Sequence, residues 1–421
     1  MNGIFEFITM AFPKAGLQVG GLPFTLNMIL FGVVMLINLK QIPSFLNSWG
    51  VFLIAYFLFF FFTTASLLIN IAEQQSSSLD IAMIMVVLFS PLAAVPISQL
   101  SLRKAMVINS SSAIIVGGYM MVQKTFGITK TALVGLTYTL GQDLTTKPIG
   151  YASSENLSHK MPSTYQNGNS SGLFLASSLA LLLIWQPTKR CDKVLKYSGM
   201  ICCIIGIFLC GSRSILFPMV PLFAMIVIQL YKLYQPRQRR LFWLLIFSVG
   251  LLSVAYFTFF GQEVLATFYD RVVIQTIQNP SSDRFAQWKI IGEQIYQLDA
   301  VGVVRLFLIG LTNDLFQLDG MLRFLAMKGI IAQLSFLVVL IYPILMLYRD
   351  PKTKIVSYAL MGIFIAFLID MSFFYLPCVM NYFMVYEIGT KFQQEIASKQ
   401  EEKNYVSITY FQNSETRSSS D

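Results

Sequence analysis

Long apolar runs separated by short polar connections make up most of this chain. A helix that crosses a bilayer needs about 20 apolar residues, because every backbone N–H and C=O must be satisfied without water. By that rule, spans are predicted near residues 22–39, 51–71, 81–100, 105–122, 171–185, 195–210, 215–231, 241–260, 321–348, 355–373 and 375–389. The fold class expected is therefore all-α: a polytopic integral membrane protein with about 11 transmembrane helices, or 12 if the segment before Pro23 also crosses. Two polar intervals interrupt the pattern, residues 123–170 and 262–321. The second is the more charged, with Asp270, Arg271, Asp283, Arg284, Lys289, Glu293, Asp299, Arg305, Asp314 and Asp319.

Lys and Arg mark every second connection: Lys40; Arg103 and Lys104; Lys189, Arg190 and Lys193; Lys232, Arg237, Arg239 and Arg240; and Arg349, Lys352 and Lys354. The positive-inside rule assigns these to the cytoplasm and puts both long polar intervals outside. Residues 1–390 then form one transmembrane domain, and residues 391–421 form a cytoplasmic polar tail. Rich in Gln, Glu, Lys and Ser, that tail buries too little apolar surface to fold alone and is expected to be a frayed helix followed by disorder.

Composition agrees with this picture. Only 12% of the 421 residues are charged and 55% are hydrophobic, with a mean hydropathy of +0.64. A soluble domain carries about 25% charged residues. The net charge of +9 reports cytoplasmic Lys and Arg, and the chain lacks the interleaved basic and aromatic patches of a nucleic-acid binder. Its five cysteines lie in or beside apolar segments, so neither a disulfide framework nor a metal-type spacing follows. Residues 1–12 lack the basic start and small-residue cleavage site of a removable signal, and the first spanning helix is expected to stay.

Four short segments carry candidate chemistry. In Gly211-Ser212-Arg213-Ser214, an Arg between two apolar spans either snorkels to lipid headgroups or holds phosphate oxygens through paired guanidinium bonds. In the second, Arg284 precedes Phe285, Trp288, Ile291 and Ile295 at near-helical spacing, an amphipathic helix suited to a membrane surface. Arg284 could also simply pair with Asp283. The third runs from Asp314 to Asp319 before an apolar span, where a carboxylate is either a general base or a solvated loop end. In the fourth, Asn167-Gly168-Asn169-Ser170, the Asn side chains either cap a helix or bind sugar hydroxyls, and the local chemistry favours the cap. His159 reads as a surface residue, and Asp370 as an acid late in a span, near its outer end.

These pieces, in this order, resemble the O-antigen and capsular polysaccharide polymerases of the Wzy type and, more loosely, the O-antigen ligases. The resemblance also takes in Gly20-Gly21-Leu22-Pro23-Phe24-Thr25-Leu26, Leu308-Ile309-Gly310, and Asp319-Gly320-Met321-Leu322 with Gly329 opening the next span. It implies a multi-helix glycosyltransferase, similar to the GT-C class, in the bacterial cytoplasmic membrane, with its active face outside and its C-terminus in the cytoplasm. Such an enzyme moves a growing glycan from undecaprenyl diphosphate onto the next lipid-linked repeat. By that resemblance Arg213 and Arg284, with Arg271 and Arg305 less directly, bind diphosphate; Asn167, Asn169 and Trp288 face sugar; and Asp319 orients or deprotonates the acceptor hydroxyl. No cofactor or metal is implied, and the partners are the lipid-linked oligosaccharide, the bilayer, a chain-length regulator and a flippase.

The ligases carry a His-Asn pair where this chain has Leu318-Asp319, which favours polymerase over ligase. A ligase remains the alternative within the enzymes, and a polysaccharide transporter or flippase the alternative outside them. Lipid-linked intermediates separate the first pair: polymerase loss leaves single repeats, whereas ligase loss leaves long polymer on its carrier.

Overall fold

The computed structural model describes residues 1–19, 22–73, 78–141, 160–233, 284–311 and 320–418, together with isolated positions between 234 and 283. The chain is mostly helical. The expected span at 241–260 lies almost wholly outside the described residues.

The N-terminus departs from the all-helical expectation. α1 (Asn2–Ala11) leads into an antiparallel hairpin of β1 (Gly16–Val19) and β2 (Leu22–Thr25), with Gly16 opposite Thr25 and Val19 opposite Leu22. α2 (Leu26–Ile37) follows at once. Asn2 and Asn38 exchange side-chain hydrogen bonds of 3.3 and 3.1 Å, Phe5 stacks on Phe31 at 5.7 Å, and the Leu26 amide donates to the Ala15 carbonyl at 2.7 Å. These nested contacts make α1 and α2 an antiparallel pair joined by the hairpin. The span expected from residue 22 therefore starts at Leu26. Pro23, which has no amide to donate, is tolerated in a short terminal strand.

Further breaks divide the expected spans. α2 and the helical stretch that ends in α3 (Ile42–Asn47) are bent by 68° relative to each other. α4 (Phe52–Ala72) is one long apolar helix. The expected span at 81–100 is instead α5 (Ser78–Phe89), a 3-10 turn holding Pro91, and α6 (Ala94–Ser98), because proline supplies no amide to continue the ladder. α7 (Leu102–Phe126) starts on a Ser101 cap and is followed by the single turn α8 (Ile128–Thr131).

α9 (Gly168–Ile184) is the central helix, with every residue from Gly168 to Leu182 buried. Burial on all sides explains why its sequence shows no apolar stripe. It packs against α7, α10 (Arg190–Leu209) and α11 (Arg213–Leu233). Later come α12 (Arg284–Tyr296) and α13 (Ala300–Leu308). The expected span at 321–348 is two helices, α14 (Gly320–Lys328) and α15 (Ile330–Tyr348), separated by Gly329 at φ +89°. α16 (Lys354–Ile369) and α17 (Leu376–Ser418) complete the chain, both packed on α9. α17 continues as helix to Ser418. Extending an anchored helix fixes one residue per added bond, and Gln, Glu and Lys are good helix formers.

Among the described residues, α4, α7 and α15 are long and apolar enough to cross a membrane, and the bent α2–α3 pair makes a fourth. The connections sort into two ends of the bundle. At the basic end, Arg103 grips Asp192 through two bonds of 2.7 and 3.0 Å, Lys391 donates to the Ser98 carbonyl at 2.7 Å, and Gln229 donates to the Pro351 carbonyl at 2.8 Å. At the opposite end, Met161 donates to the Leu209 carbonyl at 3.1 Å, and Arg305 meets Glu73. Elements grouped by their Lys and Arg content thus touch one another.

Two adjacent glycines of α7 have opposite surroundings. A Cβ added at Gly117 would stand 2.3 Å from the Cys202 carbonyl oxygen of α10, whereas one at Gly118 meets nothing within 4 Å. Gly117→Ala should therefore destabilise the protein by about 1–3 kcal/mol through overpacking. Gly118→Ala should be neutral or stabilise by up to about 1 kcal/mol through helix propensity. Thermal melting in detergent checks both, and equal melting temperatures for the two variants would contradict the α7–α10 packing.

Candidate functional site at the end opposite the basic connections

The segment that enters α9 is pinned in place. Ser163 adopts φ +57°, a conformation that costs a non-glycine residue energy, and its backbone is gripped by Gln123 through bonds of 2.8 and 3.2 Å. Its hydroxyl donates to the Val116 carbonyl at 2.6 Å. The Tyr165 hydroxyl donates to the Met10 carbonyl at 2.7 Å and accepts from Asn381 Nδ2 at 3.0 Å. One buried phenol therefore joins α1, the entry segment and α17.

Asn167 then caps α9, its Oδ1 accepting from the Ser170 amide at 2.8 Å and from the Ser170 hydroxyl at 2.9 Å. Its carbonyl oxygen is committed to that cap, and a sugar contact would fall to its amide nitrogen. Asn169 points elsewhere. Although 8% exposed, it donates through Nδ2 to Asp370 Oδ2, while Ser372 donates to Asp370 Oδ1 at 2.8 Å. The Asn169 carbonyl oxygen is buried and has no hydrogen-bond partner among the described residues.

Two other helix starts lie against this corner. A Cβ at Gly168 would be 2.2 Å from the Cys210 carbonyl oxygen, so the first turn of α9 lies on the connection whose next residues, Gly211 and the fully buried Ser212, lead to Arg213 at the start of α11. Gly320, at φ +58°, opens α14 with its Cα against the Leu368 carbonyl, two residues before Asp370. The amino ends of α9, α11 and α14 thus gather around the corner between α16 and α17. Helix amino ends carry partial positive charge and unpaired N–H groups, an environment that favours anions.

α14 carries two cations of its own. Arg323 is 8% exposed and Lys328 fully buried. Phe324 of the same helix is wedged among Phe59, Phe336, Phe373 and Phe374, which fixes its orientation. On the other side, Ile291 of α12 packs against Leu322 and Ala326. The helix that Arg284 opens therefore docks on α14. Of the apolar face expected for it, Ile291 is buried, while Trp288 and Ile295 remain exposed.

Most candidate residues from the sequence have a place in the structure. Arg213 and Arg284 open α11 and α12, and Asn167 and Asn169 occupy the start of α9. Asp319 and Arg271 lie outside the described residues. Arg305 has a partner of its own: its guanidinium grips Glu73 at 3.0 and 2.5 Å, tying α13 to the carboxyl end of α4. Arg323 and Lys328 were hidden by their setting inside an apolar run. Two cations within one predicted span were the signal that could have exposed them. Among the described residues no group of three or more His, Cys, Asp or Glu side chains is placed to hold a metal ion.

A mostly helical chain with three to four helices able to cross a membrane belongs to the membrane proteins as a class. No protein-family model matches its sequence, and no curated protein sequence matches it.

Hydrogen bonds from Arg305 hold the Glu73 carboxylate below the ordinary range. A depressed folded-state pKa means that the pair's contribution is complete above about pH 4.3, the unfolded Glu value, and is lost as pH falls through the lower folded value. Glu73→Gln and Arg305→Gln should each speed hydrogen exchange in α13, and the double variant should be no faster than either single one. Additive effects, or an unchanged exchange rate, would contradict the latch.

Proposed function

We propose that this protein is a polysaccharide polymerase of about 11 spans with a GT-C-like architecture. It would transfer a growing glycan from undecaprenyl diphosphate onto the next lipid-linked repeat, at the outer face of the bacterial cytoplasmic membrane. The observation that supports this most is the gathering of three helix amino ends, with Asp370 and the buried Arg323, at the end away from the Lys- and Arg-rich connections. By the positive-inside rule that end is the outer one.

The reaction needs two kinds of help. An acceptor hydroxyl attacks the anomeric carbon of the donor sugar, the bond from that carbon to the diphosphate oxygen breaks, and the diphosphate leaves with the electron pair. The hydroxyl proton passes to a carboxylate, for which Asp370 is the candidate at this corner and Asp319 the candidate from the resemblance. Fixed cations and amide dipoles neutralise charge as it builds on the leaving group, and they cost no reorganisation at the moment of reaction. Arg213, Arg284 and Arg323 take that role in this reading, and Arg305 leaves it.

A second reading has its own observation. α14 and α15 are one apolar run broken at Gly329, with buried Lys328 at the break. Discontinuous helices with a charge beside the gap are a feature of transporters, so a flippase for the same lipid-linked substrate is the alternative.

Arg323→Ala, in a strain that makes a capsule or O-antigen, should shorten the polymer ladder towards single repeats and lower turnover by about tenfold or more, the loss of one charge-assisted contact. Arg213→Ala and Arg284→Ala should do the same, and Arg305→Ala should keep the long chains. Gel analysis of the polymer with chromatography of the lipid-linked intermediates reads both. A normal ladder from well-expressed Arg323→Ala removes Arg323 from the site, and full-length polymer trapped on its carrier would point to a ligase.

A further inference from the structure

The junction of α1, the hairpin and α2 gathers a buried cation and an unsatisfied amide donor, remote in sequence from the α9–α14 corner. Lys14 is 6% exposed, and its ammonium lies 5.1 Å from the centre of the Tyr138 ring, which is itself buried. No carboxylate pairs with it among the described residues. Its backbone is held as well, the Lys14 carbonyl accepting from the Thr139 hydroxyl at 3.2 Å. An ammonium taken out of water without a counter-charge is strongly unfavourable, and a single aromatic face compensates little of that.

Asn27 adds a second orphan. It is fully buried, and its carbonyl oxygen accepts from the Thr25 hydroxyl, which leaves its Nδ2 hydrogens without an acceptor among the described residues. Because the Leu26 amide bonds the Ala15 carbonyl at 2.7 Å, the residues next to Lys14 and Asn27 touch. Thr25, the residue before α2, makes no side-chain cap to that twelve-residue helix. A buried cation, an unpaired carboxamide donor and an uncapped helix amino end therefore share one junction. All three offer positive charge or N–H donors, the complement of a phosphate-type anion.

The surroundings indicate the source of such an anion. Leu17 and Val19 of β1, Phe24 of β2, and Leu133, Val134 and Leu140 of the segment beside β1 are all exposed. That segment joins the hairpin through the Gln18 amide bond to the Leu140 carbonyl, at 2.7 Å. In β1 the apolar side chains face outward, the reverse of a strand that buries one face in a protein core. An apolar rim beside a buried cation and a buried amide donor matches the two parts of a lipid, acyl chains outside and headgroup within.

We infer that Lys14, Asn27 and the first turn of α2 form a binding site for the phosphate-bearing headgroup of a membrane lipid, with the exposed hairpin residues packed among its chains. The inference goes beyond the proposed reaction and does not depend on it. Burial draws the Lys14 pKa from its ordinary range down to about 8, so most copies still carry the charge at neutral pH.

Native mass spectrometry of the full-length protein in detergent tests the site, with dioleoyl phosphatidic acid, neutral dioleoylglycerol and inorganic phosphate as probes. Phosphatidic acid should be retained over dioleoylglycerol by about tenfold, and Lys14→Gln should lower that preference several-fold. Lys14→Arg should keep most of it, and Lys130→Gln, at an exposed lysine, should leave it unchanged. Equal retention of the two lipids by the wild type, or undiminished preference in folded Lys14→Gln, would overturn the site. Displacement of phosphatidic acid by an equal concentration of inorganic phosphate would overturn its assignment to a lipid. Asn27→Asp, which sets a carboxylate where the amide donor stands, should lower the preference as well, and an undiminished preference there overturns the site if Lys14→Gln fails to fold.

Discussion

A helix that begins inside an apolar bundle leaves up to four N–H groups beyond the reach of water, and the protein must supply their partners. α9 is such a helix, buried from its first residue. Asn167 supplies the cap, and Ser163, strained and gripped by Gln123, supplies the path that brings Asn167 there. Two residues further, Asn169 reaches Asp370 across 201 positions of sequence and fixes the corner between α16 and α17. The tight approaches of Gly168 to Cys210 and of Gly320 to Leu368 then set where α11 and α14 begin. Satisfying a buried helix start thus assembles a region rich in donors and cations, which is also what an anionic substrate requires.

Much of the fold was legible in the sequence because its strongest terms are local. Apolar length marked the cores of α4, α7, α15 and α16, and Lys and Arg marked connections that do share one end of the bundle. The breaks were less legible. Pro91 and Gly329 each sit within runs whose hydropathy reads as continuous, and a hydropathy window responds to neither a missing amide nor a positive φ. The hairpin at residues 16–25 escaped for a related reason: its apolar residues face outward, so the pattern of a soluble strand is absent.

The candidate site was legible as a set of residue types and not as a set of partners. Asn167 is the cap its local chemistry suggested. Arg305 could not be judged without Glu73, which lies 232 positions away, just past the end of α4. Arg323 and Lys328 stood out as buried cations only once α14 separated from α15 as a short, buried helix. Long-range pairing decides whether an arginine is a ligand or a latch, and a single sequence does not contain it.

The two functional readings differ in what happens to a covalent bond. Both accommodate buried cations and a phosphate-bearing lipid, and only the polymerase makes a glycosidic linkage and releases a diphosphate. The most direct measurement uses the purified protein in liposomes, supplied with its lipid-linked repeat on one face. The polymerase account predicts one undecaprenyl diphosphate released for each new glycosidic bond, with all sugar remaining on the face where it was added. Repeats delivered intact to the other face, without any new bond, would contradict it.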